Sequence, residues 1–242
     1  SNGALKKGFT AIPGGQLITN WKNLLAGTLP VWNGMFNSLI VSSLSAVLSV
    51  YFSTMTAYAI HAYDFKLKKY IYPFILMIMM IPTQVTALGF IKLVSSMKLE
   101  DSFIPLIVPA IAAPVTFFYM KQYMESTLPV SLIEAARIDG ASELYTFHRI
   151  AIPIMSPGIA TMSIMGFIGG WNAYLLPMII LNKNEKFTLP VMMETLRTSI
   201  DITANQGAIY LAVAISVIPI LLVFAFFSKY IISSISAGAV KE

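Results

Sequence analysis

The chain has 242 residues, 57% hydrophobic and 11% charged, with a net charge of +5 and a mean hydropathy of +0.74. A soluble domain carries about 25% charged residues, so a soluble fold is excluded, and so small a positive charge gives no reason to expect a nucleic-acid partner. With no cysteine there is no disulfide framework and no thiolate metal site.

The chain opens on the polar "SNGALKKGFTAIPGG", without an initiator methionine or a signal-peptide pattern. Beyond it, charge-free runs cover 23–63, 70–91, 102–120, 150–182 and 202–228. Crossing about 30 Å of hydrocarbon takes roughly 20 apolar residues in a helix, and each run is of that order. Strands of a membrane barrel would alternate over about 10 residues between turn signals, a rhythm absent here. The expected fold class is therefore all-α, a polytopic transmembrane helical protein with five visible spans. They are placed at Met35–Ala62 (A), Tyr70–Ser95 (B), Ile104–Tyr123 (C), Pro153–Leu181 (D) and Ala208–Ile232 (E). Lys and Arg divide evenly between the two sets of loops, so charge gives no orientation.

Span A carries Ser38, Ser42, Ser45, Ser49, Ser53 and Thr56 in steps of three and four, hence on one helical face. Small hydroxylated residues let membrane helices approach closely and bond across the contact; the alternative is a stripe lining a wet pathway. In span B, Thr83 and Gln84 follow Pro82 and are candidates for such a lining. Prolines recur along the spans and permit kinks. Span D holds "GGWNAYLLP", where Trp171, Asn172 and Tyr174 offer aromatic faces and an amide near mid-span, suited to a polyhydroxylated solute. The competing reading is an interfacial aromatic belt. No carboxylate or histidine pair lies within a span, which counts against proton-coupled carriers and intramembrane proteases.

Between spans C and D lies "IEAARIDGASELYTFHRIAIPIMSP", residues 133–157, which sets two glutamates, an aspartate, two arginines and a histidine between two long apolar runs. Ser131 and Glu134 are spaced as a capping box, predicting a short helix over Leu132–Ile138 that Asp139-Gly140 ends. A second short helix is expected from Ala141 to about Ile150, capped by Asp139 or Ser142. Leu132, Ile133, Ala135, Ala136, Leu144, Tyr145 and Phe147 give this knob an apolar side too large for a plain solvated loop. His148 has no matched nucleophile, and neither a metal-ligand spacing nor a glycine-rich phosphate loop is present, so no catalytic residue and no metal ligand is assigned. A docking surface is the expectation.

Glu134-Ala135-Ala136-x-x-Asp139-Gly140-Ala141, followed by Phe147, Ile150, Pro153 and Pro157, resembles the EAA motif of bacterial ABC importer permeases. The resemblance extends to "NSLIVS" at the start of span A, "FIGGWNAYLLP" in span D, "TLPV" after it and "AGAVKE" at the end, which are similar to the carbohydrate branch of that family. Where many relatives have leucine before the motif's first proline, this chain has Ile152, a conservative change. The resemblance implies a type I ABC importer transmembrane domain with six spans in the full-length subunit, both ends cytoplasmic and the first span lying before this sequence. It implies a bacterial cytoplasmic-membrane location. The partners would be a second homologous permease, two copies of an ABC ATPase and an extracytoplasmic sugar-binding protein. No cofactor would sit in this chain, ATP and Mg2+ being bound by the ATPase.

In that orientation residues 1–34 form an extracytoplasmic arm, 35–232 the transmembrane domain and 233–242 a cytoplasmic tail. The coupling helices at 131–150 would meet the ATPase through Glu134, Ala135, Ala136, Asp139, Gly140, Ala141, Leu144 and Phe147. The extracytoplasmic loop at 182–207, with a short helix over "PVMMETLRT", would meet the binding protein. Candidates for the substrate pathway are Trp171, Asn172, Tyr174, Gln84 and Ser49. The expected function is the permease subunit of an ATP-driven importer for a di- or oligosaccharide; the alternatives are a polyol or glycerol phosphate as solute, or a secondary carrier.

Overall fold

The computed structural model describes residues 15–26, 31–198 and 202–239. Parts of the expected arm (1–14 and 27–30), outer loop (199–201) and tail (240–242) lie outside the described residues. The elements are α1 (Leu17–Ala26), α2 (Val31–Ala62), α3 (Lys68–Met79), α4 (Thr83–Ser96), α5 (Ile104–Ile107), α6 (Pro114–Thr127), α7 (Val130–Ile138), α8 (Glu143–Thr146), α9 (Ile152–Trp171), α10 (Leu175–Ile180), α11 (Leu189–Thr198), α12 (Ile202–Ser216) and α13 (Ile218–Ala239). Four helical stretches are long and apolar enough to cross a membrane, and a fifth span is possible if the bent pair α3–α4 is one crossing. Among the described residues there is no strand.

The centre of the bundle is α2, packed against α6, α9 and α11. At 32 residues it is about 48 Å long, so it crosses the hydrocarbon with turns to spare at both ends. Its serine face explains the packing. Ser42 is fully buried and back-bonds to the Ser38 carbonyl at 2.6 Å. Ser45 donates to the Leu106 carbonyl (3.2 Å), Ser49 to Thr116 Oγ1 (3.1 Å) and Ser53 to the Ala113 carbonyl (3.4 Å). Small hydroxyls thus bring the irregular start of span C against α2. At Gly170 the approach of α9 is closer still: a Cβ built there would lie 3.0 Å from Ser42 Cα.

The spans are broken, as their prolines allowed, though not always at a proline. Span B is two helices bent by 99°, because Pro82 takes an extended conformation (φ −60°, ψ 130°) and supplies no amide. Span C begins as α5 and a 3-10 turn, Val108–Ile111, then breaks at Ala112 and Ala113 before α6. A residue before proline is pushed out of the helical region, and Ala113 precedes Pro114. Span D ends at Trp171, with α10 a separate short helix, and span E divides into α12 and α13 just before Pro219.

At the N-terminal end of α2, Asn37 Nδ2 donates to the carbonyls of Glu185 (2.8 Å) and Phe187 (3.0 Å). The segment after α10 is thereby folded onto α2, and α11 sits against it with Met192 fully buried beside Gly34. The predicted outer helix exists, one residue longer at its start. On the same side, Asp101 (φ 54°) accepts from the amides of Asn182 (2.6 Å) and Lys183 (3.0 Å), and the Lys186 ammonium donates to its carbonyl. The Asn182 amide above all holds the Asp101 carboxyl below the usual carboxylate range, with the Lys183 amide adding to it.

Candidate functional site

The knob between α6 and α9 lies at the other end of α2. Its first helix, α7, starts at Val130 behind Pro129, a residue fixed in extended geometry. The predicted capping box does not form: Ser131 is already inside the first turn, and no side chain caps the helix. Proline sets the start instead, pre-organising the chain for the first turn. The stop is as expected. Gly140 has φ +80°, the Gly140 amide reaches the Arg137 carbonyl (3.0 Å), and the Ala141 amide reaches the Ala136 carbonyl (2.9 Å). These two bonds make a Schellman motif, which glycine at that position permits.

Ser142 then caps α8, accepting from the Tyr145 amide at 3.3 Å. The second short helix is not separate, contrary to expectation. It runs through a π-helical turn, Phe147–Ala151, directly into α9. Pro153 has no amide, and its ring would clash with the Arg149 carbonyl in a regular helix; the wider turn, closed by the Ile152 amide on the Phe147 carbonyl, gives that carbonyl room. The knob is therefore one rigid piece with α9.

Its side chains sort by direction. Ile133 and Phe147 are buried, and Ala136 is nearly so. Phe147 packs its ring at 5.3 Å from Tyr58 and 6.1 Å from Tyr51, both on α2. It anchors the knob and does not face outward. Glu134, Ala135, Asp139 and Gly140 are exposed, as are Ile138 (86%) and Leu144 (66%). Glu134 has no hydrogen bond or ion pair among the described residues. Leu132, Ala135, Asp139, Gly140, Ala141 and Tyr145 line an open hollow of about 640 Å³, which Ile150 also borders. Unpaired acid, exposed leucine and isoleucine, and an open hollow thus lie together on this face.

No catalytic arrangement accompanies it. His148 Nδ1 lies 2.8 Å from the Leu144 carbonyl and Nε2 3.1 Å from the Tyr51 hydroxyl; a neutral ring with its proton on Nδ1 satisfies both. No group of three or more metal-binding side chains occurs among the described residues.

The residues proposed for a substrate pathway are not brought together. Trp171 is 3% exposed and stacked on Phe167, in a core with Leu189 and Met192. Ser49 is buried on Thr116. Asn172 is exposed at the end of α9, Tyr174 is half-buried, and Gln84 is exposed on α4. Mid-span position in the sequence misled for Trp171, because the glycines before it let α9 press against α2.

Sequence reasoning missed Arg137 and Glu143. The Arg137 guanidinium meets both oxygens of Glu143 (2.7 and 3.3 Å), donates to the Ala62 carbonyl (3.2 Å) and lies over the Tyr63 ring. Six residues apart across a glycine stop, the pair leaves no helical-spacing signal.

Residues 49–237 match the family described as "Binding-protein-dependent transport system inner membrane component". The chain belongs to that family. It is thus an inner-membrane component of a transport system, a class of permease subunits that work with an ATPase and a binding protein and are not themselves catalytic. Relatives include the arabinooligosaccharides transport system permease protein AraQ of Halalkalibacterium halodurans, 35% identical over 98% of this chain and 85% of that protein. AraQ of Bacillus subtilis is 35% identical over 92% of this chain and 78% of its own. The sn-glycerol-3-phosphate transport system permease protein UgpE of Salmonella typhimurium is 29% identical over 87% and 76%. Among solved structures, a bacterial ABC transporter involved in the import of the acidic polysaccharide alginate superposes with a TM-score of 0.82 at 22% identity, covering 94% of this chain and 85% of that one. The MetNI methionine ABC transporter gives 0.59 at 16% identity, covering 90% and 98%. These likenesses establish the fold, an ABC importer transmembrane domain.

Proposed function

We propose that this permease subunit forms half of the translocation pathway of an ATP-driven importer for a di- or oligosaccharide, paired with a second, homologous permease and two copies of an ABC ATPase. The observation that carries the coupling part is the knob itself: a glycine-stopped helix presenting unpaired Glu134 beside a hollow, in one rigid piece with α9. Glu134, Ala135, Asp139, Gly140, Ala141 and Leu144 would seat in the ATPase on the cytoplasmic side, with Ala136 buried behind them and Phe147 holding their backbone to α2. ATP and Mg2+ would be bound by the ATPase, whose closure moves the knob and rocks α9 against its neighbours. At the opposite end, α11 and the segment 182–188 would receive the sugar-binding protein. The carbohydrate assignment is supported by the two arabinooligosaccharide permeases at 35% identity; the glycerol-phosphate permeases, at 29%, support the second reading.

The test is purification from native membranes in mild detergent with identification of the co-purifying subunits. A second permease and an ABC ATPase are expected. Reconstituted with its binding protein, the complex should hydrolyse ATP faster with oligosaccharide than with glycerol phosphate. Stimulation by glycerol phosphate alone would reverse the substrate assignment, and recovery of the protein without an ATPase would remove the whole reading.

A further inference from the structure

We propose that Arg137 is a positioning residue, fastening the coupling knob to the C-terminal end of α2 so that displacement of the knob moves α2 together with α9; this rests on the function proposed above.

The knob is joined covalently to α6 through Leu128 and Pro129 and to α9 through the π turn, but not to α2. On the α9 side the chain is continuous helix through the π turn. On the α2 side nothing links them in sequence, since Ala62 and Arg137 are 75 residues apart. α9 and α2 pack against each other along the bundle, but at the level of the knob the hold between them falls to side chains that reach the last turns of α2.

Arg137 supplies that hold, in four contacts from one planar group. Two go to the Glu143 carboxylate, within the knob. The third goes to the Ala62 carbonyl, at the last residue of α2, where the final turn leaves carbonyls without helical partners. The fourth is the Tyr63 ring, 5.1 Å away. Glu143 in turn accepts a long bond (3.5 Å) from Tyr58 of α2. A guanidinium suits this place because its fork can meet a carboxylate with two donors and still offer another N–H elsewhere, with its face on a ring. Beside it the bond between His61 and the Leu128 carbonyl (2.8 Å) and the Phe147–Tyr58 contact add to the same junction, but neither carries charge across it.

Lysine at 137 separates the two roles available to this side chain. It keeps a positive charge beside Glu143, enough if the pair only stabilises the knob. A single ammonium cannot cover both carboxylate oxygens, the Ala62 carbonyl and the Tyr63 ring at once, so the contribution of residue 137 to the tie with α2 is lost.

The experiment uses the assembled complex with its binding protein in proteoliposomes, comparing wild type, Arg137→Gln and Arg137→Lys. Substrate transported per ATP hydrolysed is measured together with the amount of co-purified ATPase. In parallel, spin labels at Ser131→Cys on α7 and Thr56→Cys on α2 report their separation, with cysteine-free partner subunits; both sites are exposed and this chain has no cysteine of its own. Both variants are expected to retain the ATPase, to lose at least about fivefold in transport per ATP, the low end of coupling between sites, and to show a broadened distance distribution. A wild-type ratio in Arg137→Lys would overturn the proposal, leaving a charge that merely stabilises the knob. Loss of uptake in proportion to loss of assembled complex would overturn it too. If the wild-type complex contains no ATPase, the proposed function falls first and this inference with it.

Discussion

Ser38, in the second turn of α2 and 1% exposed, accepts a hydrogen bond of 2.8 Å from the amide of Leu189, which lies 151 residues further along the chain. With the two bonds from Asn37 this makes the outer segment part of the bundle: Leu189, Val191 and Met192 are all buried. Ser38→Ala should leave the Leu189 amide without a partner in a dry site and cost about 1–3 kcal/mol. Thermal unfolding in detergent reads this as a lowered midpoint. Neighbouring Thr188 serves as the control, because its buried hydroxyl oxygen has no partner among the described residues. Thr188→Val removes an unpaired group while nearly keeping its shape, so its midpoint should match or exceed wild type.

The same packing changes how the outer surface can be tested. Deleting 185–205 would remove buried residues and unfold this end of the bundle, whatever binds there. Substitution of Glu185, whose side chain is exposed on that segment, keeps the core intact, and Glu185→Lys should weaken stimulation of ATP hydrolysis by the binding protein with no fall in the unfolding midpoint.

Asp101 gives this end a dependence on pH. Its carboxylate accepts from the Asn182 and Lys183 amides, which lowers its pKa in the folded protein. A depressed folded-state value means that the contribution is present above the ordinary aspartate range and fades as pH falls through the folded one. Asn at 101 tolerates the positive φ of this position and has no charge. Asp101→Asn should therefore speed hydrogen exchange at the 182 and 183 amides at neutral pH, after correction for intrinsic exchange rates, and the two proteins should converge in acid. Equal protection at neutral pH would mean that the carboxylate does not hold the loop.

How far the fold could be read in advance depended on the kind of signal. Helical class and the rough place of each span follow from charge-free length alone, which lipid imposes on any crossing helix. Where the spans break was only half legible: prolines flagged kinks, yet whether Pro82 bends a helix by 99° and Pro73 does not depends on neighbours that the local sequence does not encode. In the knob, Gly140 was readable because a left-handed stop is a local requirement. Arg137–Glu143 was not, since its partners Ala62 and Tyr63 are distant in sequence. Trp171 failed for the same reason: an aromatic at mid-span has the same composition whether it faces a pathway or Leu189.

Gly170 tests the approach of α9 to the backbone of α2. A methyl there would meet Ser42 Cα at 3.0 Å and Ser42 Cβ at 3.1 Å, and backbone cannot swing aside as a side-chain tip can. Gly170→Ala should destabilise the bundle by about 1–3 kcal/mol, the usual cost of overpacking, whereas Gly169→Ala, with open space at its Cβ, should be tolerated. The unfolding midpoints of the two variants decide it; equal values would mean that α9 can move away from α2 without cost.

Glu134 carries the sharpest functional expectation. It is exposed and has no partner among the described residues, so removing its charge should cost the fold little. If it meets a basic group on the ATPase, Glu134→Ala loses a charge-assisted bond at an interface, which is worth about 1.5–3 kcal/mol. A loss of about 1.4 kcal/mol already means tenfold weaker association. The variant should reach the membrane in normal amounts with a wild-type unfolding midpoint, and should retain far less ATPase after detergent washing. Glu134→Gln should resemble it, because the amide keeps the shape but not the charge. Normal uptake and normal retention in both variants would sink the assignment of Glu134 to the ATPase contact.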